Sequence, residues 1–154
     1  MRDLEAAAGR IRAMDNANGK VGCVGFCVGG RWTLLFACSS DKVNAAVDCW
    51  GGFIHRATPD AETTPARPKP ILDLVGQLHC PLFAVFGEED QNPSVAQSEE
   101  LKKRAEAAHK DVTVKVYKNA GHAFLADYRP SYRDGPAHEL WADATAFLGK
   151  HLKA

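Results

Sequence analysis

A chain of 154 residues can bury about two-thirds of its unfolded surface, and a single domain is the natural expectation for that length. Its 19 Lys and Arg balance 19 Asp and Glu, so the formal charge is zero, and no basic patch or charge run points to nucleic acid or an anionic membrane. No apolar stretch is long enough to span a bilayer, and Met1-Arg2-Asp3-Leu4-Glu5 carries charges of both signs where a signal peptide needs an apolar core.

In chain order, Leu4, Ala7, Ala8, Ile11 and Met14 recur at helical spacing, and Asn16 to Gly19 read as a stop. Residues 21–26 form a first strand, and 28–40 a helix that buries Trp32, Leu35 and Phe36. Residues 43–49 form a second strand and 81–86 a third, bounded by Gly87. Asn92-Pro93 supplies a cap and first helical residue for a helix running to about His109. Residues 112–117 form a fourth strand, in which Val112, Val114 and Val116 alternate with polar partners as on a half-exposed edge. Residues 136–152 read as an amphipathic helix with Leu140, Trp141, Ala144, Phe147 and Leu148 on one side. This alternation of strand and helix implies a parallel sheet with helices on its faces. Residues 56–70 differ: Pro59, Pro65, Pro68 and Pro70 stand among small polar residues, the composition of a loop insertion within one domain, 1–154. The preferred reading is a surface loop, the other a cap over a site.

The chemistry concentrates where the first strand meets its helix. Gly25-Phe26-Cys27-Val28-Gly29-Gly30 has the form of a nucleophile elbow with cysteine in the place more often held by serine. A nucleophile at such a turn stands clear of the sheet, Gly25 and Gly29 avoid a Cβ clash as the backbone doubles back, and the N–H groups that open the next helix can stabilise an anion. Asp90 follows the third strand in Phe86-Gly87-Glu88-Glu89-Asp90, and His122 follows the fourth in Asn119-Ala120-Gly121-His122-Ala123-Phe124. Nucleophile, acid, histidine is the order of the α/β-hydrolase fold. Glu88 and Glu89 compete with Asp90, which ranks first on the motif. Trp50, in Trp50-Gly51-Gly52-Phe53 after the second strand, reads equally as a pocket wall or as packing.

Cys23, Cys27, Cys38, Cys49 and Cys80 show no Cys-x-x-Cys pair and no zinc spacing. The expectation is reduced thiols in the cytoplasm, four of them small buried residues. His55, His79, His109, His138 and His151 sit in no comparable motif and read as surface residues. No metal, nucleotide or flavin signature is present, so no cofactor is expected.

Over nearly its whole length the chain resembles the C-terminal part of a dienelactone hydrolase family protein, on the elbow, Gly87-Glu88-Glu89-Asp90 and Ala120-Gly121-His122-Ala123-Phe124. The resemblance implies an α/β fold of α/β-hydrolase type, a parallel sheet with helices on both faces, lacking the N-terminal strands of the full fold. It implies a Cys27–Asp90–His122 triad, an oxyanion donor at the Val28 N–H, and a small ester or lactone opened through an acyl-thioester; Trp50, by its place after the second strand, and Phe124 are the candidate substrate contacts. It also marks departures. The preceding half of family members supplies a second oxyanion donor, a carboxylate that helps activate the cysteine, and an arginine for the substrate carboxylate. Four residues after the histidine the lactone-opening members carry a further arginine, where this chain has Ala126, with Arg129 out of register.

Two expectations follow. Without the preceding strands, residues 21–26 would be an apolar edge with unpaired backbone, a place to pair with another chain, a second copy included. Loss of one oxyanion donor costs about 10²–10³ in turnover, so this chain alone should be a weak hydrolase. A catalytically incomplete fragment and a thiol-based redox protein are the other readings, the Gly-His-Ala-Phe segment arguing against the second.

Overall fold

The computed structural model describes residues 1–55 and 70–153, so the expected insertion at 56–70 lies, but for Pro70, outside the described residues. Four parallel strands form one sheet in chain order: β1 (Gly22–Phe26), β2 (Ala45–Cys49), β3 (Leu82–Gly87) and β4 (Val112–Tyr117). All four carboxyl ends therefore lie at one end of the sheet.

Helices cover both faces, as the alternation of elements requires. On one face α1 (Arg2–Arg12), α2 (Val28–Ser39), a 3-10 segment (Ile71–Gln77) and α3 (Val95–Ala107) supply Ala8, Leu34, Leu72 and Leu101 to a core with Ala46, Leu82, Ala84 and Phe86. On the other, α4 (Asp134–Leu152) lays Leu140 and Ala144 on Val47, Phe83, Val85 and Tyr117. The central strands β2 and β3 are buried at every residue. Among the described residues β1 and β4 each have one strand neighbour, and on β1 both Val24 and Phe26 are 43% exposed. The seat of α4 on β4 is polar as well as apolar. Lys115 Nζ bonds Glu139 Oε1 at 2.7 Å and also Asp143, and the Tyr117 hydroxyl donates to Asp143 Oδ2 at 2.6 Å.

Several expectations change. Trp32 is exposed and Leu35 half-buried, because the stripe that α2 buries runs through Gly30, Thr33, Leu34, Ala37 and Cys38. Trp141 is 64% exposed, because α4 rests on Ala137, Leu140 and Ala144. α3 starts later than Asn92-Pro93: Ser94 is the cap, in a reciprocal capping box with Gln97. Asn92 Oδ1 instead accepts the Phe53 N–H at 2.9 Å. The 3-10 segment, whose Ile71, Leu72 and Val75 are buried, has no counterpart among the expected elements. No helix among the described residues is long and apolar enough to cross a membrane.

Candidate active site

β1 ends at Phe26 and α2 begins at Val28, so the chain reverses within the single residue Cys27. Cys27 does this at φ 55, ψ −119, a conformation that costs a non-glycine residue on the order of 1–3 kcal/mol and persists only where its surroundings enforce it. Here the Cys27 N–H donates to Cys49 O of β2 at 3.0 Å, and its carbonyl accepts the Arg31 N–H of α2 at 3.1 Å. The side chain is exposed at the sheet's carboxyl end. The N–H of Val28, first in α2, belongs to the turn whose donors have no acceptor within the helix.

The glycines around the elbow have different reasons. A Cβ at Gly25 would stand 2.1 Å from Gly29 O, so strand and helix touch backbone to backbone there. A Cβ at Gly29 meets nothing within 4 Å, contrary to the clash expected of it. At Gly30 a Cβ would stand 2.4 Å from Asp48 Oδ1 and 2.7 Å from Cys49 O.

Asp90 and His122 meet because β3 and β4 are neighbours and their following loops interlock. The Glu89 N–H donates to Ala120 O at 2.9 Å, and a Cβ at Gly87 would stand 2.4 Å from that same oxygen. The buried Asp90 carboxylate lies with Oδ2 2.8 Å from His122 Nδ1, while its Oδ1 accepts the Asn92 N–H at 3.0 Å. Its competitors point elsewhere: Glu88 Oε2 accepts the Asn119 N–H at 3.0 Å, and Glu89 lies 3.9 Å from Arg133. The half-buried His122 ring keeps Nε2 clear of that carboxylate.

Cys27 and His122 line one cavity of about 340 Å³, whose walls include Phe26, Trp50, Leu125, Ala126, Tyr128 and Arg129. Trp50, at φ 44, lines the same cavity, its ring 5.7 Å from Phe26 and 6.4 Å, edge-on, from His122. Phe124 does not line the cavity. It is fully buried behind it, 5.0 Å from Trp50 and 5.4 Å from Tyr117. Phe26, Tyr128 and Arg129 were not singled out as wall residues. Their place in the motif hinted at Phe26, but only the path of the loop after His122 brings in the other two.

Cys23 is half-buried, and burial separates the other three thiols from Cys27. It pushes Cys38 and Cys80 up to about 12 and Cys49 higher still, so these stay protonated and inert at neutral pH. Asp48, buried on β2, is pushed up to about 7 by loss of water, against the lowering effect of a hydrogen bond from the Gly51 N–H. Among the described residues no three His, Cys, Asp or Glu side chains gather as a metal site.

The sequence model of the dienelactone hydrolase family matches residues 1–152. A "Putative carboxymethylenebutenolidase" of Methylorubrum extorquens is 37% identical over 92% of this chain and 47% of its own length. A "Probable 2-oxo-3-(5-oxofuran-2-ylidene)propanoate lactonase" of Bradyrhizobium sp. is 30% identical over 86% of this chain and 51% of its own. The crystal structure of a "Putative Dienelactone Hydrolase" from Klebsiella pneumoniae superposes with a TM-score of 0.84 at 29% identity, over 96% of this chain and 59% of that one. The chain thus spans about half the length of the curated relatives it matches.

Proposed function

The chain belongs to the dienelactone hydrolase family, and from that premise we propose that it carries the reactive groups of a cysteine hydrolase acting on small carboxylic esters or lactones. One observation carries the reading: an Asp90–His122 pair with Nδ1 2.8 Å from the carboxylate, and a strained, exposed Cys27 on the wall of the same cavity as that imidazole.

Cys27 is the nucleophile. His122, its Nδ1 held by Asp90, draws the thiol proton through Nε2, and the resulting thiolate attacks the substrate carbonyl. The negative charge on the tetrahedral oxygen is met by the Val28 N–H and the positive end of α2. Collapse gives the acyl-thioester and releases the alcohol oxygen, protonated by the imidazolium. A water then gives its proton to Nε2 as it attacks the acyl carbon, and the thiolate leaves. Asp90 fixes the tautomer and stabilises the imidazolium without itself taking the proton. The wall of Phe26, Trp50, Leu125 and Tyr128 suits an apolar acyl group, and Arg129 is the one cation among the described residues that line the cavity.

The test is hydrolysis of a p-nitrophenyl acyl ester by this chain beside Cys27→Ala and His122→Ala. Turnover should fall to background in the first and by about 10²–10⁴-fold in the second. Equal rates in all three folded proteins would sink the reading and favour a catalytically incomplete fragment, a reading that the half-exposed apolar strand β1 also favours.

A further inference from the structure

Asp48 takes no part in the chemistry above, yet it lies directly beneath it. β2 carries it on the α2 side of the sheet, opposite Gly25 of β1 and Ala84 of β3, neighbours with nothing to offer a carboxyl group. It is 2% exposed. The first turn of α2 presses onto it, leaving no room for a Cβ at Gly30. Its one hydrogen bond among the described residues is accepted by Oδ1 from the Gly51 N–H at 2.9 Å. The carboxyl is thus wedged between the helix start that presents Cys27 and Val28 and the turn that carries Trp50. That turn needs bracing. Trp50 and Phe53 both stand at positive φ, and two further anchors are Trp50 N–H to Val85 O at 2.8 Å and Phe53 N–H to Asn92 Oδ1 at 2.9 Å.

Buried carboxylates that stay ionised accept two or three N–H groups or face a cation. Asp48 has one N–H group. Among the described residues, the titratable groups that act on it are the thiols of Cys38 on α2 and Cys49 on its own strand. Cys23 on β1 is turned to the Thr33 hydroxyl, 3.3 Å away, and the residue opposite on β3 is Ala84. Arg31, in the turn of α2 above, carries its guanidinium 5.4 Å over the Trp32 ring. None of these repays the ionised form, consistent with the rise to about 7.

We propose that Asp48 is a positioning residue of the active site, working as the uncharged acid to brace the Trp50 turn against the first turn of α2, so that its ionisation imposes a descending limb on activity toward alkaline pH. Ionised, it would set a negative charge under the helix end that must receive the oxyanion, opposing the charge that develops in the transition state. Because that charge is absent from the bound substrate, the loss falls on kcat and leaves KM nearly unmoved. The inference rests on the cysteine-hydrolase reading.

Asp48→Asn keeps a carbonyl oxygen for the Gly51 N–H and removes the charge. Wild-type kcat on a p-nitrophenyl ester should rise and then fall, with a limb near about pH 7 losing up to roughly tenfold per pH unit. The Asn variant should show no such limb. A limb identical in both proteins, or no limb in either, overturns the proposal. Asp48→Ala, which also removes the acceptor, should raise KM as the Trp50 turn relaxes. Urea midpoints at about pH 5 and pH 8 give a second readout that needs no turnover: wild type should lose resistance between the two relative to Asp48→Asn. Equal midpoint changes overturn the proposal even if Cys27-dependent hydrolysis is established. Turnover that survives Cys27→Ala would instead remove the hydrolase reading and the catalytic limb with it, the urea comparison still deciding whether Asp48 is held as the acid.

Discussion

Gly25→Ala and Gly29→Ala, four residues apart in the same motif, should have opposite outcomes. A Cβ at Gly25 would stand 2.1 Å from Gly29 O, 2.3 Å from Gly29 C and 2.5 Å from Thr33 Oγ1. Nonbonded carbon contacts settle near about 3.5–4.0 Å, so α2 must retreat from β1 by more than about 1 Å. Two of the three atoms are backbone, which no rotamer change can move. Both elements are also tied, Gly25 by its pairing with Asp48 and α2 by the Arg31 N–H to Cys27 O bond. Overpacking costs typically about 1–3 kcal/mol, and this site belongs at the upper end. At this chain length about 3 kcal/mol lowers Tm by roughly 6–12 °C. The same retreat moves Cys27 relative to His122, and a shift of about 1 Å in catalytic geometry costs roughly 10²-fold in rate. At Gly29 a Cβ meets nothing within 4 Å, and its φ is not positive. Alanine there relieves the entropic cost of glycine in a helix, worth up to about 1 kcal/mol. Thermal unfolding and ester turnover of both variants read out the contrast. A Gly25→Ala protein with wild-type Tm, or a Gly29→Ala protein damaged as badly as Gly25→Ala, would refute the backbone-contact argument.

Other perturbations follow from the same geometry. Asp90→Asn keeps the shape of the side chain but not its charge, so turnover should fall by about 10²–10⁴-fold while Asn92 keeps its acceptor; steady-state kinetics beside a Tm check this. Trp50→Ala removes a buried ring packed on Phe26, His122 and Phe124, and should cost about 3–5 kcal/mol in chemical unfolding. Asp48 binds its proton more tightly folded than unfolded, so its contribution is full below about pH 4 and lost as pH rises through about 7, a change of up to about 4 kcal/mol that Asp48→Asn abolishes in urea titrations. Arg129→Ala should raise KM for an ester with an anionic acyl group and leave a neutral one of similar size unaffected, as paired kinetics would show.

Much of this was legible in the sequence because parallel βα units write their periodicity and punctuation openly. Gly25 and Cys27 mark a turn that few other residue types could make, although the second crowded glycine is Gly30 and not the expected Gly29, and Asp90 and His122 follow apolar runs that become neighbouring strands. Side-chain direction was less legible. Trp32 and Trp141 fit helical stripes by spacing, yet α2 turns Leu34, Phe36, Ala37 and Cys38 inward and α4 turns Ala137, Leu140 and Ala144, leaving both indoles outside. Asn92-Pro93 has the form of a cap, but the asparagine amide is claimed by Phe53 across the site, a contact between residues 39 apart that no local pattern encodes. Asp48 had a signal that passed unremarked: it is the one acidic residue inside the apolar run 45–49, where a buried carboxyl needs a reason.

The strand order explains why Trp50 is more than a wall. With β1 to β4 lying in chain order, the strands carrying Cys27 and His122 are the two edges of the sheet, three strand spacings or about 14 Å apart. A parallel sheet brings the four following loops to one end, but by itself leaves nucleophile and histidine too far apart to exchange a proton. Two residues hold the imidazole on the cavity side of its loop. Asp90, after β3, holds the imidazole by Nδ1, and Trp50, after β2, fills the space between Phe26 and His122. Phe124, fully buried, supports that indole from beneath and is tied to β4 through Tyr117, so the loop after His122 folds back over the sheet instead of continuing away from it. Trp50→Ala should therefore lower kcat as well as stability, because it removes the ring on which the His122 imidazole packs edge-on. A variant that lost binding affinity but kept full kcat would show that Asp90 and the loop backbone hold the imidazole alone.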